Sequence, residues 1–428
     1  MKRFLLLSAW FLGAAVSLQA QTARELIAEN PLRAAGNLHA YEPLDTLFSP
    51  PPAGYRPFYI SHFGRHGSRY HASESQFSAI AVLEKYRADG LLTDIGEQVL
   101  GDLKRIYQAT GGAFGALTER GAWEHHQIAR RMLSHYPEVF SDPGRTAVFA
   151  IATHSQRVID SRDAFVAELA GRAPGLRIRC LTEDDKSVQK DIRQEVRGYA
   201  ADSEEKQYLS SVSTKEARKH WSDSLDRTRI LQEWFTDPSR VSSSIVSSVY
   251  NAGRIRQAMS GEDLPWIEKY FLPSELFFLW CDGDISWYEK GCITPENKGI
   301  IVRKSGGGIL EMIVRDADRA IREGDIAAHL RFSHDTKLMP LLAAMGLEGV
   351  DFQGDPILAP EKMFSFQNIL LAGNVQLVFY RNGDGDVLVK ILKNEKETTI
   401  PSLTPCQGPY YRWDTLKTYF TERMNRQP

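Results

Sequence analysis

The pattern that most constrains the fold of this 428-residue chain occurs three times. A short apolar, strand-like run breaks off into a polar segment, and a helical stretch follows. The runs occupy residues 58–63, 146–153 and 326–333, far apart in the sequence. Apolar runs that alternate with helical periodicity belong to α/β architecture, in which the loops leaving the strand ends carry the chemistry. The expected fold class is therefore α/β, with a central mixed sheet flanked by helices.

The segments at the ends of these runs share a chemical character. The first is Arg65-His66-Gly67-Ser68-Arg69, where two guanidinium groups flank one imidazole and a glycine allows close backbone approach. A carboxylate ligand would need one bidentate arginine, whereas a tetrahedral oxyanion presents more oxygens and more charge. Hydrogen bonds between charged partners contribute about 1.5–3 kcal/mol each, so several arginines make an anion site. The second segment, His154-Ser155-Gln156-Arg157, opens a helix through Phe165 and Leu169. It places Arg157 where a strand end meets a helix N-terminus that favours anions. The third, Ser333-His334-Asp335-Thr336, precedes an apolar helix over 338–345 and supplies a carboxylic acid. A phosphoryl group leaving an alkyl oxygen needs such an acid, because the alkoxide must be protonated as it departs.

Arg65-His66-Gly67-Ser68-Arg69 resembles the Arg-His-Gly-x-Arg signature of the histidine acid phosphatases. These form the two-arginine branch of the histidine phosphatase superfamily, with phytases and multiple inositol polyphosphate phosphatases among them. Tyr70 makes the motif most similar to the inositol polyphosphate group. Three more segments resemble the family in order: Leu117-Thr118-Glu119-Arg120-Gly121 at the start of a helix, Ser155, Arg157, Val158, Ser161 and Phe165 in register, and His334-Asp335. The resemblance implies that His66 attacks phosphorus and becomes phosphohistidine. It implies that Arg65, Arg69, Arg157 and His334 hold the phosphoryl oxygens, and that Asp335 donates the proton. One departure bears on substrate: inositol polyphosphate phosphatases usually carry His-Ala-Glu where this chain has His334-Asp335-Thr336, as acid phosphatases and many phytases do. The resemblance thus implies a phosphomonoesterase for a small phosphate ester, inositol polyphosphates such as phytate favoured. A broad-specificity acid phosphatase acting on sugar phosphates is the alternative, and a non-catalytic phosphate-binding protein a weaker one.

Lys plus Arg number 52 and Asp plus Glu 54, so attraction for an anion must be local and focused by a cleft. Nothing in this balance indicates a nucleic-acid surface. Residues 1–20 read as a secretory signal: Lys2-Arg3, an apolar core to Val16, and a cleavage point after Ala20. The mature protein is expected to be exported, periplasmic or secreted, with no membrane span. In an oxidising compartment Cys180, Cys281, Cys292 and Cys406 allow three complete pairings, of which Cys281 with Cys292 is favoured across a short loop. Their spacing does not suit zinc.

No cofactor or metal is expected, since arginines supply the charge. Glu124-His125-His126 reads as a solvated helix face, because adjacent helical residues do not share a side. Ser305-Gly306-Gly307-Gly308 lacks the Gly-Lys-Ser/Thr of a nucleotide loop and reads as a flexible joint. Asn382-Gly383 marks a hairpin between strands at 375–380 and 387–392. Residues 173–287 lose strand-like runs and read as a mostly helical cap insertion over the cleft, leaving 21–172 and 288–428 as the α/β core. Within it, Lys186, Lys190, Arg193 and Arg197 are candidate contacts for the rest of a polyphosphorylated substrate.

Overall fold

Strand β1, Arg56–Arg65, is the hub of the sheet and is buried from Phe58 onward. The computed structural model of the protein describes residues 21–42, 48–182, 215–261, 263–295, 297, 299–300 and 302–425. After β1 come β2 (Ala147–Ala152), β3 (Arg177–Thr182), β4 (Ile326–Ser333), β5 (Asn374–Arg381), β6 (Val387–Lys393), β7 (Lys396–Glu397) and β8 (Tyr410–Arg412). Their order is β3-β2-β4-β1-β5-β6-β7, with β8 also on β6. The β3, β2, β4 and β1 strands run parallel, while β5 to β8 add antiparallel pairs, so the sheet is mixed as expected.

Helices cover both faces. On one, the helices Gly308–Glu323, Asp335–Met345 and Trp413–Asn425 pack through Ile313, Leu342 and Phe420 onto Phe379 and Ile391. On the other, Glu119–His135 and Gln156–Arg172 pack through Ile128, Met132, Phe165 and Leu169 onto Val148 and Leu330. A separate apolar cluster is almost wholly helical. It joins residues of the N-terminal segment (Leu26, Leu38) and of the helix Asp94–Ala109 to Trp221, Trp234, Val249 and Trp280. The helical layer is thus assembled from several parts of the chain and not from one insertion.

Three expectations change. Arg177–Thr182, placed in the insertion by its charge, is β3 of the core sheet, pairing with β2 from Ala147↔Arg177 to Ala152↔Thr182. It is an edge strand, so Arg177, Arg179 and Cys180 can stay exposed. Cys281 and Cys292 are both free and buried. The helix Pro273–Gly291 runs between them, so eleven residues of helix hold them about 16 Å apart, beyond disulfide reach. Gly306 is not a flexible joint: a Cβ there would lie 2.1 Å from the carbonyl oxygen of Pro340, so the glycine permits close packing of two backbones. Residues 1–20 and Lys186, Lys190, Arg193 and Arg197 lie outside the described residues. Among those described, no helix is long and apolar enough to cross a membrane.

Candidate active site

Parallel pairing brings the two chemical motifs side by side. The β1–β4 register ends at Arg65↔Ser333, so the chain leaves adjacent strands at Arg65-His66 and at His334-Asp335. The β2–β4 register ends at Ala152↔Phe332, which delivers Thr153 and the helix carrying Arg157 to the same edge. This is where open α/β sheets place ligands, beyond the carboxyl ends of parallel strands and beside a change in strand direction. The β1 strand has a parallel neighbour on one side and an antiparallel one on the other.

His66 is pinned by its backbone. Its N–H donates to the Ser333 carbonyl at 3.0 Å, and its own carbonyl accepts from the Ala372 N–H at 3.0 Å. Its Nδ1 lies 2.9 Å from the Gly67 carbonyl, which can only accept, so Nδ1 carries the proton and Nε2 keeps its lone pair. Burial and the neighbouring Arg65 charge push His66 well below the usual histidine range, with the Gly67 bond opposing. Both effects favour the neutral ring. His334 stands 5.4 Å away, centroid to centroid, with its Nε2 3.4 Å from the Thr153 hydroxyl. Burial and the Arg157 charge hold His334 down to about 4.

Arg65 is fully buried and ties the motifs together. Its Nη2 meets Asp335 Oδ2 at 2.6 Å, and its Nη1 donates to the carbonyls of Ile369, at 2.7 Å, and Asn37. The Asn37 amide also donates to Asp335 Oδ2, at 3.0 Å. For Asp335, burial pushes the pKa up, but the charge of Arg65, the Asn37 bond and the charges of Arg69 and His334 prevail and hold it below the usual carboxylate value. Arg69 and Arg157 lie near enough to act electrostatically on Arg65 and Asp335, and each has a buried Nε without a partner. The structure thus brings all six candidate residues, Arg65, His66, Arg69, Arg157, His334 and Asp335, to one edge of the sheet.

Two supports were missed in the sequence. Asn37 sits 298 positions from Asp335 in a 3₁₀ helix, Pro31–Leu38, and no local pattern announces it. Glu124 was assigned to a solvated face, yet Glu124 and His125 are both about 1% exposed. The Glu124 carboxylate accepts from the Ser68 N–H at 2.8 Å and the Ser68 hydroxyl at 2.7 Å, holding the loop that carries His66. Close packing makes this possible: a Cβ on Gly67 would fall 2.4 Å from the Gly121 oxygen. The glycine after His66 therefore serves the approach of helix Glu119–His135 rather than that of a ligand. Thr118 caps this helix, and its N–H donates to the Ser68 carbonyl at 2.9 Å, which explains the Leu-Thr-x-x-Gly segment. Glu124→Ala should leave the Ser68 groups unpaired, costing about 1–3 kcal/mol of stability and lowering kcat; thermal denaturation and steady-state kinetics check both effects.

A cavity of about 500 Å³ opens beside Asn37 and the helix that begins at Asp335. The helical layer contributes Asn37, Arg218, Arg254, Trp280, Asp284 and Lys290 to its wall. The core contributes Thr336, Lys337 and Pro340 from the helix that begins at Asp335. Arg254 was not foreseen either; its charge reaches Arg69, and its Nε has no partner.

This fold is shared with solved phosphatases. The chain aligns with the multiple inositol polyphosphate phosphatase of Bifidobacterium longum in complex with inositol hexasulfate at a TM-score of 0.72 and 19% identity, covering 90% of this chain and 97% of that one. It aligns with the phytase of D. castellii at 0.66 and 15% identity, covering 92% and 85%. The Hafnia alvei phytase matches at 0.52 and 14% identity, covering 89% and 100%. No protein-family model and no curated protein matches the chain in sequence. The likeness is one of architecture, the histidine acid phosphatase fold that the motifs implied.

Proposed function

We propose that the protein is an exported phosphomonoesterase that works through a phosphohistidine on His66 and favours inositol polyphosphates. The observation that carries this reading is the meeting of a neutral, backbone-pinned His66 with Asp335 across Arg65, at the ends of two parallel strands. Arg65, Arg69, Arg157 and His334 hold the phosphoryl oxygens and stabilise charge as it spreads in the transition state. His66 Nε2 attacks phosphorus in line while Asp335 gives its proton to the departing oxygen. Asp335 then takes a proton from the water that hydrolyses the phosphohistidine, which restores both groups. A non-catalytic binding protein would need neither a free Nε2 nor an acid beside the clamp.

The substrate preference draws on the cavity. Arg254, Lys290 and Lys337 line it together, which suits a leaving alcohol that carries further phosphates. Arg218 lines it too, but is held in a two-bond pair by Asp282, at 2.6 and 2.9 Å. A solved protein of the same fold binds inositol hexasulfate. His334-Asp335-Thr336 keeps the broad acid phosphatase reading open as the second one. A panel of phytate against simple monoesters, run across pH, tests the choice. The expected result is a kcat/KM at least tenfold higher for phytate; equal values would favour the broad enzyme, and no turnover of either would remove the phosphatase reading.

The pH dependence follows from Asp335. Its pKa is depressed in the free protein, so the protonated form needed to donate is lost as pH rises through that low value. The kcat/KM for alkyl esters should accordingly fall from acid toward neutral pH. A bound phosphoryl dianion draws on the same arginines and raises the acid again, so kcat should fall at higher pH than kcat/KM does.

A further inference from the structure

The cavity wall holds two acids, Asp282 and Asp284, and the hydrolysis uses neither. Asp284 lies on the helix Pro273–Gly291, is one of the residues lining the cavity, and is 0% exposed. Its Oδ1 accepts from the Ser365 N–H at 2.8 Å, but its Oδ2 has no hydrogen-bond partner in the protein. Buried carboxyl oxygens are rarely left unpaired, since each surrenders its bonds to water. Trp280, one turn earlier, is tied to the same Ser365 through its indole N–H at 3.2 Å.

We infer that Asp284 is a specificity residue, donating a hydrogen bond from Oδ2 to an oxygen of the leaving alcohol, a phosphorylated polyol, while Arg254, Lys290 and Lys337 hold that polyol's other phosphates. The inference rests on the phosphatase reading for the identity of the ligand. A carboxylate at this place would repel the phosphates, whereas a carboxylic acid offers the donor that a phosphate or hydroxyl oxygen accepts. The surroundings keep the proton on. Burial pushes Asp284 well above the usual carboxylate range, opposed only by its Ser365 bonds. The titratable groups that feel its charge are Cys281 on its own helix and Cys292 beyond its end, while Asp282, Arg218, Arg254, Lys290 and Lys337 line the same cavity. Burial raises both thiols as well, so they stay neutral beside it. The neighbouring Asp282 is occupied by Arg218.

The test uses the full chain and inositol hexasulfate, which is not a phosphate ester, so binding is read without turnover. Calorimetry at acid pH should show Asp284→Leu weakened tenfold or more, and Asp284→Asn, which keeps a donor, within threefold of the wild type. Wild-type affinity should fall as pH rises through the titration of Asp284, and this dependence should be reduced in Asp284→Asn. Equal affinity of Asp284→Leu and wild type, or a wild type that does not bind, overturns the inference. If Asp284→Leu does not fold, Asp284→Asn decides alone, and an unchanged pH dependence in it overturns the inference. Wild-type binding of hexasulfate with no hydrolysis of phytate would overturn the proposed activity while leaving the Asp284 contact supported. Hydrolysis with no effect of Asp284 on affinity would do the reverse.

Discussion

His66→Ala should abolish turnover on every phosphate ester, lowering kcat by at least about 10⁴-fold. The expectation rests on how completely this side chain is prepared. The Gly67 carbonyl fixes the tautomer, and the Ser333 and Ala372 backbones fix the position. Burial beside Arg65 keeps the ring neutral. Among the described residues His334 is the imidazole whose ring meets that of His66, and it leaves from the adjacent strand and turns its Nε2 toward Thr153. Because the arginines remain, phosphate and its analogues should still bind. A variant that neither binds nor turns over would indicate a collapsed loop, which circular dichroism and thermal denaturation would reveal.

The second large effect belongs to Asp335. Asp335→Asn should slow alkyl esters by roughly 10²–10⁴-fold, the usual contribution of a general acid. Aryl esters should lose much less, because a phenolate leaves without protonation. The substitution also removes the negative charge that Arg65 meets at 2.6 Å and that Asn37 contacts at 3.0 Å. Arg65 is then freed toward the bound phosphoryl group, so KM should stay level or fall while kcat drops. The acid-to-neutral decline in kcat/KM should vanish with the carboxyl group. Equal losses on alkyl and aryl esters would remove Asp335 from the donor role.

Much of this site was legible because strand and loop signals coincide. The runs at 58–63, 146–153 and 326–333 became β1, β2 and β4, and each ended where a polar motif began. Parallel pairing, which the sequence does not spell out, is what turned three distant motifs into neighbours. What stayed hidden depends on tertiary contact alone. Asn37 carries no motif and acts through the fold's return to the strand ends. Glu124 sits next to residues that a helical pattern assigns to solvent, and the loop carrying Ser68 and the Tyr41 backbone close over it, as the near Gly67–Gly121 approach allows. Strand β3 was disguised by Arg177 and Arg179, charges that an edge strand tolerates. The favoured Cys281–Cys292 bridge failed because the segment between them is helical and not a loop.

The central claim is that His66 carries the phosphoryl group between the two half-reactions. Rapid quenching during turnover of a ³²P-labelled ester should give protein-bound label that is stable to alkali, released by acid, and located on the peptide containing His66. Asp335→Asn should accumulate more of it with an aryl ester, since breakdown also needs a base. A protein that turns over the ester while carrying no acid-labile label, in the wild type and in Asp335→Asn alike, would contradict the account.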